Sequence, residues 1–253
     1  MISVGRLGTG IESNADQADA ARLALIGAAK TTLRIVQQDI GPVTVLGLPL
    51  SSWPTAELEA LANALVRNVD VYIVLSDLDA TAGGLSSTEA SYSNGWTPAD
   101  VGNHIKGYMQ SNPGYRSGAA LDALLCTKLH LAPFRYNDTQ STWPDGTPFA
   151  SHSKVVEVDS QAVFIGSHNM YPADLQEVGY IVDDSNITGQ WLSQYWASVF
   201  TFEAAVPRGR LQVQSEAVGR VRRKHRTRRW RWPARSVRRE ARPIRSSASC
   251  HLP

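Results

Sequence analysis

Cysteine is nearly missing from this chain. Two among 253 residues, Cys126 and Cys250, allow one intrachain disulfide at most and fit no metal-ligand spacing. A disulfide-stapled scaffold and a thiolate metal centre are thereby excluded. No stretch is apolar for long enough to span a bilayer. Met1 is followed by Ile-Ser-Val-Gly-Arg, without the basic start and apolar core of a secretory signal. A nucleotide-binding P-loop is missing as well. Gly5, Gly8 and Gly10 are suitably spaced, but no strand is predicted before them and no GK[ST] follows. Val4 to Ser13 therefore reads as an N-terminal loop.

Charge is divided along the chain. From Arg208 onward there are fifteen Lys and Arg against two Asp and Glu, a net of +13. The preceding body has ten against twenty-one, a net of −11. We divide the chain accordingly into a body, 1–206, and a tail, 207–253. The tail mixes Arg with Pro, Ser and Trp, lacks apolar periodicity and is expected to be disordered. Three readings of it compete. It could bind nucleic acid or anionic lipid through Arg and Trp230/Trp232, it could be a solvated extension, or it could be an out-of-frame translation of GC-rich DNA. The last is preferred.

The body, in a chain with 43% hydrophobic residues, has the composition of a globular domain. Asn14 is placed to cap a helix through Ala29, with Ala18, Ala21, Leu25, Ile26 and Ala29 on one face. Thr32 to Gln38 reads as a strand. Thr55 to Asn68 reads as a helix, with Glu57 and Glu59 favouring its dipole. Val69 to Leu75 is a near-continuous apolar strand of the kind covered on both faces. Strand, helix, strand at this spacing is a βαβ unit. A long polar loop, 80–97, is either a surface excursion or a substrate-facing lid. Helices are predicted over 98–109 and 118–125, then an irregular or edge strand over 129–135 containing Pro133. His130 within that strand reads as structural. His104-Ile105-Lys106 reads as helix surface. The predicted fold is α/β, a mixed and mainly parallel sheet with helices on both faces.

One stretch stands apart, Ser151 to Asp183. β-Branched residues over 152–158, a break at Asp159-Ser160-Gln161 and an apolar run to Ile165 predict a hairpin. Strand alternation sets His152 and Lys154 on one side. Ser167 and Asn169, just past the second strand, return to the hairpin's mouth, while Asp159 is expected to cap the far turn. An ammonium, an amide, a hydroxyl and an imidazole converging there suit a tetrahedral anion. Histidine, titrating near neutrality, can attack phosphorus or protonate a leaving oxygen. Glu177 opens a further strand, 177–182, where a carboxylate could fix an imidazole's tautomer. A closing helix, 188–200, carries a core stripe of Trp191, Leu192, Tyr195, Trp196 and Val199. No metal and no cofactor is implied.

His152, Lys154, Asp159, Gly166, Ser167 and Asn169 fill every defined position of an HxK-x4-D-x6-GSxN pattern. The chain resembles the phospholipase D superfamily at these residues. More widely, over about residues 3 to 200, it looks like the C-terminal half of the secreted bacterial phospholipases D of the streptomycete type. VGRLGTGI, TLRIVQQDI, VDVYIVLSD, LLCTKLHLAPFR and GSHNMYPADLQEVGYIVDD carry that likeness. The resemblance implies a secreted hydrolase of phosphatidylcholine that exchanges head groups with alcohols at a membrane surface. It implies that His152 protonates the leaving alcohol and later activates water. Lys154 and Asn169 would hold phosphate oxygens, with Ser167 in support. Glu177 matches the acidic position that orients the histidine of a second motif, and Cys126 matches a disulfide-bonded cysteine. In the family a phosphohistidine forms on that other motif, and this chain carries one motif only. A monomer is therefore expected to be almost inactive, and the missing half is expected to leave an apolar face exposed. The alternatives are a single-motif nuclease or phosphodiesterase acting as a homodimer, or an inactive fragment. The acidic body argues against a nucleic-acid partner.

Overall fold

The computed structural model describes residues 1–6, 17–42, 44–45, 48–49, 52–76, 96–135, 140, 142–146, 149–171 and 175–200. The Asn14 cap, most of the polar loop 80–97 and the whole tail 207–253 lie outside the described residues.

A seven-stranded sheet is the frame. In chain order its strands are β1 (Ile2–Arg6), β2 (Thr32–Gln37), β5 (Asp70–Leu75), β6 (Leu129–Pro133), β7 (Lys154–Val158), β8 (Ala162–Gly166) and β9 (Glu177–Asp183). A separate two-stranded ribbon pairs β3 (Thr44–Val45) with β4 (Leu48–Pro49). Across the large sheet the order is β1-β9-β8-β7-β2-β5-β6. β2 pairs parallel with β5, and β5 parallel with β6. The other four contacts are antiparallel. The sheet is mixed, as expected, but not mainly parallel. The physical reason is connection length. The three-residue link between β7 and β8 is a tight turn, which permits only antiparallel pairing, whereas parallel neighbours need a crossover.

The crossovers are helical. α1 (Gln17–Ala28) lies between β1 and β2, and α2 (Thr55–Val66) between β2 and β5. α3 (Pro98–Ser111) and α4 (Gly118–Lys128) precede β6. These helices cover one face of the sheet. There Ile26, Leu61, Leu65, Ile105 and Leu125 meet Leu33, Ile35, Val71, Ile73, Val156 and Phe164. α3 starts as its sequence dictates, with Pro98 in the first turn and a reciprocal capping box between Thr97 and Asp100. The other face is covered by the last helix. α5 (Ser185–Trp191), capped by Asp184, runs through a π-helical turn, Leu192–Trp196, into α6 (Ala197–Phe200). Trp196 and Val199 pack there on Val36, Val74 and Val163.

Two local expectations change. Residues Val4 to Arg6 are strand rather than loop. The glycine spacing hides a pairing with residues far along the chain, in which Arg6 lies directly opposite Glu177. Asp159 does not cap its own turn. It adopts φ 57° and turns its carboxylate to the link between α1 and β2. There it accepts from the amides of Lys30, Thr31 and Thr32 and from the Thr31 hydroxyl at 2.8–2.9 Å. The hairpin turn is held by Glu157 instead, which accepts from the Ser160 amide. The HIK triplet is helix, with Ile105 in the core, His104 stacked on Trp53 at 3.5 Å and Lys106 paired with Asp122. His130 stacks on Tyr72 at 4.3 Å.

At the end of β8 two glycines face each other. Gly166 is in register with Gly179. A Cβ on Gly166 would lie 2.7 Å from both the Gly179 Cα and the Val178 carbonyl oxygen. Backbone cannot yield as a flexible side chain does, so Gly166→Ala is expected to cost about 1–3 kcal/mol, read as a lower midpoint in urea.

Asp159 generates a pH prediction. Burial alone would raise its carboxyl, but the amides of Thr32, Thr31 and Lys30 outweigh this and hold it below the ordinary value. A depressed folded pKa gives stabilisation that is full above the unfolded value of about 3.9. That stabilisation fades as pH falls through the folded value. Asp159→Asn should lower the melting temperature at pH 7, and the gap to the parent should narrow on acidification below about pH 4. A gap independent of pH would refute the assignment.

Candidate active site

Seven strand termini meet at one end of the sheet. β2, β5 and β6 finish there, β7 starts there, β8 finishes there, β9 starts there and β1 finishes there. The HxK segment and the GSHN loop are therefore brought together by pairing alone.

Lys154 is the first residue of β7 and sits opposite Gln37. Only 3% of it is exposed. Its Nζ donates to Gln38 Oε1 at 3.2 Å and to the His152 carbonyl at 2.9 Å. Burial lowers its pKa to about 8, against the pull of Glu177 and Asp39. Such a lysine is charged at neutrality but poorly solvated, which favours a bound anion.

Asn169 is buried on the loop after β8. Three contacts fix it. Its backbone N–H and its Nδ2 each donate to Glu177 Oε1 at 3.4 Å. Its carbonyl accepts from Arg22 Nη1 at 3.1 Å. Met170, next in sequence, bridges to Ile40. The Oδ1 of Asn169 and both amide atoms of Gln37 are buried with no hydrogen-bond partner among the described residues. Buried polar atoms are normally satisfied, so these atoms have hydrogen-bonding capacity left for a further polar group. The Asn169 Nδ2 carries a second N–H beside the one given to Glu177.

Glu177 is pinned by Arg6, whose Nη1 donates to Oε2. Burial raises its carboxyl against the charge of Arg6. Behind it is a chain of buried charge that sequence reasoning missed. Arg6 also pairs with Asp19, and Arg22 bridges Asp19 and Glu57 at 2.8 Å each. Glu57, expected to serve the helix dipole, is thus part of the site's frame. A signal was available in the helix pattern. Arg22 is four residues from both Ala18 and Ile26, on the apolar stripe of α1. Tyr171 stands near the same group, where burial, then Asp39 and Glu177, push its phenol well up.

The remaining predicted residues divide. His152 is exposed and precedes β7, two residues before Lys154 opens the strand. Partial burial, then the Lys154 charge, lowers its pKa, which favours the neutral imidazole. Ser167 is not turned to the cluster. Its hydroxyl accepts from the Val178 amide at 3.0 Å and donates to the Val178 carbonyl at 3.3 Å. It ties the loop to β9. Asp159 lies at the far turn. Lys154, Asn169 and Glu177 are brought together, with His152 at the edge. No group of three or more His, Cys, Asp or Glu placed to hold a metal ion occurs among the described residues.

A stretch of 159 residues, 63% of this chain, is 36% identical to the phospholipase D of Streptomyces antibioticus. This chain resembles that enzyme over the stretch. It spans about a quarter of that relative's length, 27%. No family model matches. Among solved structures, Nuc of Salmonella typhimurium, a phospholipase D family member, is 19% identical with a TM-score of 0.40, covering 79% of this chain and 95% of its own. The phosphatidylserine synthase of Haemophilus influenzae is 13% identical with a TM-score of 0.44, covering 81% and 37%. NucT of Helicobacter pylori is 14% identical at 0.39, covering 71% and 85%.

Lys154 generates a two-sided prediction. Anion affinity, followed with inorganic phosphate or vanadate, should fall as pH rises through about 8, where Lys154 loses its charge. Stability should move the other way. Between about 8 and 10.4 the unfolded chain holds the proton that the folded chain has released, so stability rises with pH there. Lys154→Met should abolish anion binding and leave the urea midpoint unchanged or higher. Loss of folding in that variant would refute the reading.

Proposed function

We propose that this chain supplies one half of a phospholipase D-type phosphodiesterase site. The substrate is a glycerophospholipid, and the reaction hydrolyses its head group or transfers it to another alcohol. The observation that carries the reading is the buried Lys154, opposite a Gln37 amide without a partner among the described residues and near the Glu177-bound Asn169, with His152 at the edge. Lys154 and the Asn169 amide hold non-bridging phosphate oxygens. His152 enters the step as the imidazolium, gives its proton to the departing alcohol oxygen, and as the neutral base afterwards takes one from water.

The chemistry needs a second group on the far side of phosphorus. In the phosphohistidine route an imidazole attacks there, the phosphoryl group passes to it, and water completes the turnover. The described site offers one histidine at its mouth, so the second comes from outside this set of residues. A twofold copy of this chain would bring another His152. The body's net charge of −11 works against a polyanionic nucleic acid and favours a lipid substrate over the nuclease alternative.

The test is phosphatidic acid formation from vesicles of phosphatidylcholine or phosphatidylglycerol by the full chain. His152→Ala should lower the rate by about a thousandfold or more, since it removes proton transfer and the nucleophile of a twofold site together. Lys154→Ala should act comparably. Equal rates in parent and His152→Ala would overturn the proposal.

A further inference from the structure

His152 and Ser153 lie between two fixed points. In front, the Ser151 N–H donates to the Ser76 hydroxyl at 2.8 Å, and that hydroxyl donates to the Ser151 carbonyl at 2.7 Å. Ser76 follows β5, and its own N–H donates to the Gln38 carbonyl. Behind, Lys154 opens β7 opposite Gln37. His152 and Ser153 belong to no strand, so ladder pairing does not set where the imidazole stands. Among the described residues three side-chain hydrogen bonds bear on the pair. Lys154 Nζ donates to the His152 carbonyl at 2.9 Å. The Ser153 N–H reaches Ser151 Oγ at 3.3 Å. Ser153 Oγ lies 2.6 Å from the Tyr195 hydroxyl. Of these three the last is the shortest, and it alone reaches another element.

That element is the π-helical turn Leu192–Trp196. There the Ala197 N–H reaches back five residues to the Leu192 carbonyl, so the turn holds one residue more than an α-helical one. Such turns recur at functional sites. Trp196 and Val199 still enter the core, and the half-buried Tyr195 packs against that core. The helical stripe accounts for the Tyr195 ring. It does not account for the hydroxyl, which a Phe would lack without loss of apolar contact. We propose that Tyr195 is a positioning residue for His152: its hydroxyl, through Ser153, holds the HxK segment so that the imidazole and the Lys154 ammonium meet one phosphate. The inference rests on the phosphodiesterase reading above and adds a residue from outside the motif. The physical need is distance. An acid must come within about 2.6–3.2 Å of the oxygen it protonates, and a misplacement of about 1 Å can lower a rate by about a hundredfold. His152 is exposed, so packing does little to fix its ring, and the backbone that carries it must be held.

The test uses the full chain and is read by NMR, without turnover. Sulfate is the probe, because its charge is constant over the range in which histidine titrates. An anion held by Lys154 favours the charged form of a nearby imidazole and raises its titration midpoint, the more so the closer it lies. His152 is identified as the resonance missing in His152→Ala. In the parent, sulfate should raise the His152 midpoint. Tyr195→Phe and Ser153→Ala should each bind sulfate within about threefold of the parent yet reduce that rise to about half or less. Persisting sulfate binding also shows that each variant has folded. A contact that serves stability alone would lower the urea midpoint and leave the rise intact. The double variant should match either single one, since both remove the same interaction. In vesicle turnover the single variants should lower kcat by about tenfold or more and leave KM nearly unchanged. An equal rise in the parent and both variants, or loss of sulfate binding in both variants, would overturn this inference and leave the phosphodiesterase reading intact. Sulfate that fails to bind the parent, or binds without moving His152, would instead remove that reading and this inference with it.

Discussion

A buried run of ion pairs holds the site end of this molecule together. Arg6 on β1 touches Glu177 on β9 and Asp19 on α1, and Arg22 on α1 touches Asp19, Glu57 on α2 and the backbone of Asn169. The five side chains are each 5% exposed or less. Burying such charges is expensive, and an ion pair placed in a core is often no more stabilising than packed hydrophobic side chains. What the arrangement does supply is a fixed register. Removing one partner would strand the others in low dielectric, at about 3–5 kcal/mol, so the edge strand, both helices and the GSHN loop are locked to one another. The placement of Asn169 is a consequence of that lock.

The fold was largely legible because its signals are local. The β7–β8 hairpin, the βαβ unit and the closing helix announce themselves by turn residues and apolar period. β1 was not legible, since its only argument for being a strand is Glu177, far away in sequence. The proportion of parallel pairing was misjudged because the βαβ unit is conspicuous, whereas the pairing of β1 with β9 leaves no local trace. Within the site, residue types were readable and side-chain direction was less so. Ser167 and Asp159 show why. Both belong to the motif, yet their oxygens are taken by backbone amides of neighbouring segments. Those contacts depend on which loops happen to adjoin, and spacing along one chain does not contain that. The buried guanidinium of Arg22 could have been noticed on the apolar stripe of α1. Gln38 and Asp39, at the strand end beneath Lys154, carried no signal of their own.

β2 is where the two halves of the sheet meet. It pairs parallel with β5 on one side and antiparallel with β7 on the other. The carboxyl ends of the parallel strands and the open end of the hairpin therefore fall together. Parallel ends bring the crevice expected of α/β sheets, and the hairpin brings the motif. Neither half would make the site alone. A wholly parallel sheet would offer a crevice without the paired Lys154 and Asn169, and a wholly antiparallel one would lack the crossover helix that delivers Arg22.

An acidic body and an anion site are electrostatically compatible when their distances differ. The body's net charge sets the far field, which repels polyanions in proportion to their length. Close to Lys154 the near field decides. A charge in low dielectric acts more strongly over a few ångströms than many charges screened at the surface. Of the two carboxylates that pull on it, Glu177 and Asp39, Glu177 is shared with Arg6. A single phosphate gains from that local field and is small enough to escape the distant one. A chain of phosphates is not, which is the physical ground for proposing a lone phosphodiester rather than a polymer as the ligand.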